Sequence, residues 1–293
     1  MSGAEVLGPD ALDGIAALCR RAVPDAPARD ELDGALFAPD RPCVVLGDPA
    51  VGVVAVSDVD GAAHIRLLAV DPASRRRGRG GALLQAAEEA AREAGATTLT
   101  TGADPPYFLW PGVPSTATAL LCLLESRHYG RVEVNFDMDV ELAGIPDDPG
   151  GHHLATAGER DEVDTWMARH WPNWRPEVLR ALDKGNLVVT REGEDETGGS
   201  GTGDGRPADG RAPDIVAFCA FEVNRRGRLG PVAVRPDLLG RGRGGGVLLG
   251  ALHELRRRRR HRVSVVWVGP VRPYAAVGGS VSAVYFVFRR NLG

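Results

Sequence analysis

Hydrophobic and polar positions along the chain follow the same order of elements twice. In the first half, the helical stretches "DALDGIAALCRRA" and "ELDGALF" precede three apolar runs, "CVVL", "VGVVAVSDV" and "AHIRLLAV", which predict strands. A glycine-rich stretch then opens the helix "ALLQAAEEAAREAG", and a strand, a helix and the alternating "VEVNFDMDV" follow. The second half repeats this order from "ERDEVDTWMARHW" to "AVYFVFRR". The pattern predicts a mixed α/β fold made of two similar domains.

A gapless alignment supports the duplication. "LAVDPASRRRGRGGALLQAA" at 68–87 matches "VAVRPDLLGRGRGGGVLLGA" at 232–251, so the pentapeptide RGRGG occurs in both copies. Random glycine clusters would not keep the same flanking strand, proline turn and apolar helix. We therefore predict an N-terminal domain at 1–147 and a C-terminal domain at 148–293, separated near the Pro- and Gly-rich "GIPDDPGG".

One segment interrupts the second copy. Residues 191–214 contain almost no apolar side chains and many Gly and Asp residues. Because such a composition cannot bury a core, we predict a flexible insertion in the C-terminal domain.

Composition narrows the classes of function. The 293 residues carry a net charge of −4 and are 43% hydrophobic, which is ordinary for a soluble globular protein and gives no pull toward nucleic acid or a membrane. Without a long apolar run or signal-peptide features, we expect a cytoplasmic monomer or homodimer. The four cysteines lack metal-ligand spacing, and His152 and His153 have no third ligand nearby in the sequence, so no metal site is expected.

The glycine-rich stretches predict an anion site, because a glycine turn that opens a helix presents free N–H groups and a partial positive charge. A Walker-type loop requires a lysine that neither copy has. Gly240, Gly242 and Gly245 fit the dinucleotide pattern GxGxxG, but no acidic residue follows Glu254, and Leu83 stands at the third glycine position of the first copy. A third class of ligand for such a turn is the pyrophosphate of coenzyme A.

The loop motif resembles that of the GNAT acetyltransferase superfamily. In the first copy, a strand ending in Ala-Val and a proline turn are followed by the motif Arg-x-x-Gly-x-Gly, which starts at Arg75 and opens a helix. The second copy has Leu239 at the position where Arg or Gln is usual. The resemblance covers nearly all of both halves except the insertion, and the tandem layout is similar to that of mycothiol synthase. It implies two tandem GNAT-like domains, each with a mostly antiparallel central sheet, flanking helices and splayed middle strands.

The resemblance also implies a cofactor, acetyl-CoA, and its contacts. These are expected in the strand before each loop and in the loop itself: Leu68, Val70, Arg75, Arg76, Arg77, Gly78, Arg79, Gly80 and Gly81 in the first half, and Val232, Val234, Leu239, Gly240, Arg241, Gly242, Arg243, Gly244 and Gly245 in the second. A backbone N–H of the strand would polarise the thioester carbonyl.

The candidate catalytic residues lie in the second half. "YAAVG" places Tyr274 four residues before a glycine. In the family, a tyrosine in this pattern protonates the departing thiolate. The first half has Leu124 at the matching position if His128 replaces the glycine. Glu222 is a candidate base, because burying a charged carboxylate in the apolar strand "AFCAFEV" is costly unless the residue has a function. The alternative is that its side chain faces outward and is solvated.

Aromatic residues predict the acceptor pocket. In this superfamily, the loop between the first two helices contributes to that pocket, and here it contains His170, Trp171 and Trp174. The alternative is that these tryptophans cover the core. In the first half, "DPPYFLWPGVPS" predicts a structured turn at the mouth of the first cleft, where it either binds a ligand or packs against the second half.

These observations favour an acetyl-CoA-dependent N-acetyltransferase that acts on a small-molecule amine, with the C-terminal domain active and the N-terminal domain a degenerate copy. The competing class is a non-catalytic CoA-binding or regulatory module.

Overall fold

The computed structural model describes residues 5–59, 61–193 and 214–293. The chain divides into two compact units. The N-terminal unit comprises Met1–Phe136 together with Ala283–Gly293, and the C-terminal unit comprises Asp137–Ser282. Most of the predicted insertion, residues 194–213, lies outside the described residues.

The described residues of the first half form four α-helices and seven strands, in the order that the sequence pattern predicts. In chain order they are β1 (Val6–Leu7), α1 (Leu12–Ala22), α2 (Arg29–Leu36), β2 (Val44–Asp48), β3 (Gly52–Val59), β4 (Ala62–Val70), α3 (Arg79–Glu93), β5 (Thr98–Thr101), β6 (Val113–Pro114), α4 (Thr118–Ser126) and β7 (Gly130–Glu141).

The second half supplies the corresponding elements. They are β8 (His153–Leu154), α5 (Arg160–His170), α6 (Arg175–Asp183), β9 (Leu187–Arg191), β10 (Ile215–Phe221), β11 (Arg228–Val234), α7 (Gly244–Arg257), β12 (Arg262–Val265), α8 (Val271–Ala275) and β13 (Ser280–Asn291).

Each unit is built on a mostly antiparallel sheet. In the N-terminal unit the strand order is β1-β2-β3-β4-β5-β13, and in the C-terminal unit it is β8-β9-β10-β11-β12-β7. Only the β4–β5 pair and the β11–β12 pair are parallel among the pairings described. The predicted mixed α/β class with two similar units is confirmed.

The last strand of each unit comes from the other half of the sequence. Residues 289–291 of β13 pair with β5, and residues 138–141 of β7 pair with β12. The division between the units along the chain therefore lies at Phe136 and Asp137, earlier than the predicted change at residue 147, and the C-terminal strand belongs to the N-terminal unit.

Alternation along the strands fills both faces of the N-terminal sheet. Val53, Ala55 and Leu67 pack against α1 and α2, whereas Val54 and Ile65 pack against α3. In the C-terminal unit, α5 and α6 form a comparable core with β9 and β10. Both glycine-rich loops lie at the end of a strand held in such a core, which fixes their position.

Candidate active site

The two parallel strand pairs open at corresponding points. The last bonds between the strands run from Gly102 N–H to Ile65 O at 2.9 Å in the N-terminal unit, and from Val266 N–H to Leu229 O at 3.1 Å in the C-terminal unit. Directly after them, β4 and β11 each carry a bulge, seen as a shift in pairing with β3 and β10. The predicted splayed strands are thus present in both units. We call the opening between β4 and β5 the first splay and the opening between β11 and β12 the second splay.

The register of β11 directs its amide groups into the splay. Arg235 N–H donates to Val216 O of β10 at 2.8 Å. Because N–H groups alternate in direction along a strand, those of Val232 and Val234 point to the opposite side, where β12 has diverged. Both residues are partly exposed. The same argument directs the N–H groups of Leu68 and Val70 into the first splay, because Asp71 N–H donates to Val51 O at 2.9 Å.

Each strand leads into a glycine turn of the same backbone form. Arg76 and Gly78 have φ values of +60° and +77°, and Gly240 and Gly242, which align with them, have +76° and +79°. Glycine suits these left-handed positions, whereas Arg76 is a rare side chain there.

The helix after the first turn begins with open N–H groups, whereas at the start of α7 the N–H of Gly245 donates to Gly242 O at 3.3 Å. The first helical bond of α3 runs from Ala82 N–H to Gly78 O at 3.0 Å, so the N–H groups of Arg79, Gly80 and Gly81 have no partner within the helix. A Cβ atom added at Gly81 or at Gly245 would meet nothing within 4 Å. Both turns therefore fit a pyrophosphate group, which would occupy this space and accept these bonds.

The loop arginines are mostly exposed. Arg75, Arg76, Arg77, Arg79 and Arg241 extend from the two loops toward solvent, and Arg243 is partly buried. Of the remaining predicted loop residues, Leu239 is 58% exposed, Gly240 and Gly245 are exposed, and Gly80 and Gly244 pack beside Val70 and Val234 respectively.

Different side chains brace the two loops. Arg75 donates from Nε to Val70 O at 3.1 Å and from Nη2 to Ala22 O at 2.8 Å, which ties the loop to the end of α1. Leu239 cannot do this. Instead, Trp171 at the end of α5 donates from Nε1 to Val234 O at 3.3 Å. Trp171 thus compensates for the arginine that the second copy lacks.

Tyr274 lies on α8 in a turn whose backbone is repeated in the N-terminal unit. Gly279 N–H donates to Tyr274 O at 2.8 Å, as Tyr129 N–H donates to Leu124 O at 3.0 Å. Gly278 has φ +85° and His128 has φ +61°, so the two helix ends have the same left-handed form. Leu124 therefore stands where the C-terminal unit has Tyr274.

The surroundings of the Tyr274 hydroxyl raise its pKa further above neutral pH. Its side chain is buried, and this burial raises the pKa of Tyr274 to about 12, with a further contribution from Cys219. Cys219 lies on β10 directly opposite Val232. Tyr274 thus lies near β10 at the level of Cys219, the residue that pairs with Val232.

Glu222 lies in a turn, not in a strand, which corrects the sequence prediction. The chain reverses between β10 and β11 at this point, and Glu222 has φ +48°. Its carboxylate accepts from Arg260 Nε at 2.7 Å and from Gly227 N–H at 2.8 Å. These bonds give the carboxylate a structural role. It closes the turn between β10 and β11, at the start of β11, whereas the glycine loop follows the other end of that strand.

The predicted acceptor residues form part of a wall beside the second splay. The ring of Trp174 meets that of Trp267 edge-to-face at 5.8 Å between centroids. His170 stacks at a tilt on the buried Trp166, and partial burial, with Arg169 and Arg235 nearby, lowers the pKa of His170. Sequence reasoning missed Trp267. The gapless alignment could have found it, because it pairs Trp267 (φ +52°) with Ala103 (φ +49°) immediately after the splay.

Comparison with known families identifies the N-terminal part of this arrangement. Residues 12–106 match the acetyltransferase (GNAT) family. This part of the chain is therefore similar to a GNAT acetyltransferase domain. Comparison with curated proteins gives no match.

Solved structures extend the GNAT fold over the whole chain. A GCN5-related N-acetyltransferase from Sphaerobacter thermophilus is 18% identical with a TM-score of 0.69, covering 99% of this chain and 95% of that protein. A tandem GNAT protein from the clavulanic acid biosynthesis pathway is 16% identical with a TM-score of 0.65, covering 96% and 94%.

A longer fungal protein is similar as well. The GCN5-related glucosamine N-acetyltransferase region of a multi-domain GH3 beta-N-acetylglucosaminidase is 20% identical with a TM-score of 0.75. The match covers 98% of this chain and 38% of that protein. At these identities the likeness establishes the fold alone, a tandem pair of GNAT-like units.

In the N-terminal unit, a buried ion pair lies at the point where the strands diverge. Arg66, which aligns with Gly230, is fully buried and forms an ion pair through Nε with Asp104. Asp104 also binds Arg41 and the Ser57 hydroxyl, and the Arg66 guanidinium lies 5.0 Å from the centre of the Tyr107 ring. This cluster occupies the position that the C-terminal domain leaves to a glycine.

The predicted aromatic turn of the N-terminal domain packs inward. Tyr107, Phe108 and Leu109 are all buried, and Leu109 and Trp110 pack with the core under α1 and α2. The Tyr107 hydroxyl donates to Asp40 at 2.5 Å. The turn therefore closes its own unit.

Two classes of feature were also searched for. Within the described ranges, no three His, Cys, Asp or Glu side chains form a group that could hold a metal ion. No helix in that part of the chain is long and apolar enough to cross a membrane.

Proposed function

We propose that the protein is an acetyl-CoA-dependent N-acetyltransferase whose C-terminal unit transfers the acetyl group to a primary amine. The observation that carries this proposal is the difference at the splay. The C-terminal unit combines a partly exposed strand from Gly230 to Val234 with a protonated Tyr274, whereas the N-terminal unit has buried Arg66 and Leu124 at these positions.

Binding of acetyl-CoA follows from the backbone. The N–H groups at the start of α7 and the turn at Gly240 and Gly242 would hold the pyrophosphate. The N–H groups of Val232 and Val234 face the splay, so they can bind the pantetheine arm and the thioester carbonyl. Acetyl-CoA supplies an activated acetyl group, and these N–H groups stabilise the negative charge that develops on its oxygen during transfer.

Tyr274 supplies the proton that the reaction needs. The amine nitrogen forms a bond to the carbonyl carbon, the carbon–sulfur bond breaks, and the amine loses one proton to solvent. Tyr274 Oη donates its proton to the sulfur and is reprotonated from solvent. Burial keeps this proton in place at neutral pH. No nucleophilic Cys or Ser is required, and the ion-paired Glu222 has no part in this scheme.

Thiol release from acetyl-CoA, measured with a panel of primary amines, tests the proposal. Tyr274→Phe should lower kcat about 100-fold, the scale of one general acid, with little change in KM for acetyl-CoA. Tyr129→Phe is the matched control, because Tyr129 is a buried tyrosine of the N-terminal unit that donates to Glu88. Unchanged turnover in Tyr274→Phe would remove this residue from the mechanism. Acetyl-CoA binding without thiol release on any amine would instead favour a non-catalytic module.

A further inference from the structure

The main chain at Trp267 lies where β12 leaves β11 and the second splay opens. The preceding Val266 N–H group forms the last bond to β11, at 3.1 Å. Because N–H groups alternate in direction along a strand, the Trp267 N–H group points away from β11 and toward β7. It donates there to Oδ1 of Asp137 at 3.0 Å. The carboxylate of Asp137 therefore holds the chain at the point where the two strands diverge.

The same carboxylate is also bound to the other strand of the splay. Oδ2 of Asp137 lies 3.3 Å from Nη1 of Arg228, the first residue of β11. Asp137 is 1% exposed, so water and salt screen this ion pair little. One buried side chain thus links the start of β11 to the residue that follows β12.

The backbone conformation of Trp267 depends on such a bond. Its φ of +52° lies in the left-handed region, which a residue with a large side chain adopts only where the surrounding contacts fix it. In the N-terminal unit, Ala103 has a similar φ of +49°, and its N–H group donates to Trp110 O at 3.4 Å. The C-terminal unit uses a charged acceptor at a shorter distance, which makes the stronger bond.

The N-terminal unit has an apolar residue at the position of Asp137. The register of β7 with β12, extended by one residue, places Asp137 opposite Val266. The register of β13 with β5, extended by two residues, places Val287 opposite Gly102, which aligns with Val266. Val287 is buried. At this position the carboxylate is therefore a feature of the C-terminal unit.

We propose that Asp137 is a positioning residue for acetyl-CoA. By fixing the Trp267 N–H group, it keeps the second splay open for the pantetheine arm. This inference rests on the proposed acetyl transfer in the C-terminal unit. The N–H groups of Val232 and Val234 can bind the arm only while the chain after β12 stays apart from β11. Asp137 acts through the backbone of Trp267 and exchanges no proton with the substrate.

Two double variants separate this role from that of the ion pair. Asp137→Asn/Arg228→Met removes the ion pair but keeps a side-chain oxygen that can accept from the Trp267 N–H group. Asp137→Val/Arg228→Met removes the acceptor as well and introduces the residue found at the corresponding position of the N-terminal unit. Because methionine replaces the arginine in both variants, neither leaves a guanidinium without its carboxylate.

Steady-state thiol release with the full-length protein measures the difference. KM for acetyl-CoA should be about fivefold higher in the valine variant than in the asparagine variant, the effect of one hydrogen bond, with little change in kcat. Asp137→Ala/Arg228→Met replaces the valine variant if that protein does not fold. Asp139→Asn is the matched control and should leave KM unchanged, because Asp139 lies on the same strand and binds the hydroxyls of Ser264 and Ser282.

Equal KM values for the two double variants, with a difference only in their resistance to urea, would overturn the positioning role and leave the proposed acetyl transfer standing. Calorimetric titration with CoA separates the opposite failure. Both variants have the same N-terminal unit, so a difference between their Kd values belongs to the C-terminal unit. Weaker CoA binding by the valine variant supports the positioning role even if no thiol is released with any amine, a result that would count against the proposed function alone. Equal Kd values, or no CoA binding by the wild type, would overturn the positioning role.

Discussion

The two clefts share a backbone, and three of the side-chain differences between them distinguish the two copies most clearly. Where the strands diverge, the N-terminal unit has Arg66 and the C-terminal unit has Gly230. At the helix end beside the splay, Leu124 contrasts with Tyr274, and at the loop, Arg75 contrasts with Leu239. The bulge and the left-handed turns persist in both units. Under the proposed function, the comparison teaches that a duplicated backbone can be kept while the side chains for acetyl transfer are kept in one copy alone.

The largest effect is expected from the ion pair that fills the first cleft. Asp104→Asn leaves Arg66 and Arg41 without their carboxylate, and because Arg66 is fully buried, the free energy of unfolding should fall by about 3–5 kcal/mol. Urea denaturation followed by circular dichroism measures this change. Asp164→Asn, at an exposed pair with Arg175, is the control and should cost less than about 1 kcal/mol. Equal decreases in the free energy of unfolding of the two variants would contradict a buried Arg66–Asp104 ion pair.

A buried carboxyl of the C-terminal unit provides a contrasting case. Glu177 on α6 accepts from Asn224 Nδ2 at 3.1 Å through Oε1, and its buried Oε2 has no hydrogen-bond partner among the described residues. Burial raises the pKa of Glu177 from 4.5 to about 8, opposed by Arg180. Between these pH values the folded protein binds more protons than the unfolded chain, so the free energy of unfolding falls as pH rises.

Glu177→Gln should therefore flatten this dependence. We expect the wild type to lose on the order of 2–4 kcal/mol between pH 5 and pH 8, and the variant to lose much less. Urea denaturation at the two pH values measures the difference. Parallel pH profiles for the two proteins would contradict the buried neutral carboxyl.

The smallest effect is expected at the loop braces. Trp171→Phe keeps the ring but removes the N–H bond to Val234 O, so KM for acetyl-CoA should rise about fivefold, as for the loss of about 1 kcal/mol. Arg75→Met removes the corresponding brace of the N-terminal loop and should leave turnover unchanged. A larger effect on turnover from Arg75→Met than from Trp171→Phe would reverse the assignment of the active unit.

The sequence predicted those parts of the site whose conformation depends on neighbouring residues in the chain. The glycine turns follow from the repeated loop motif, because left-handed backbone favours glycine, and the position of Tyr274 follows from its spacing to Gly278. Glu222 was misplaced because alternation cannot show where a strand reverses.

Long-range pairings were beyond such patterns. The pairing of Arg66 with Asp104 joins residues 38 positions apart, and the pairing of Asp137 with Trp267 joins residues 130 apart. The alternation of "VEVNFDMDV" predicted a strand but could not name its neighbour, so the sequence did not indicate that each unit takes its last strand from the other half.

The central claim, that transfer takes place in the C-terminal cleft, is tested most directly by placing one negative charge in each loop. Gly245 and Gly81 align, and a Cβ at either meets nothing within 4 Å, so aspartate fits both, and its charge is favourable in the first turn of a helix. In steady-state thiol release, Gly245→Asp should raise KM for acetyl-CoA by at least about tenfold through repulsion of the pyrophosphate. Gly81→Asp should leave both kcat and KM unchanged. Loss of turnover in Gly81→Asp with normal kinetics in Gly245→Asp would contradict the claim.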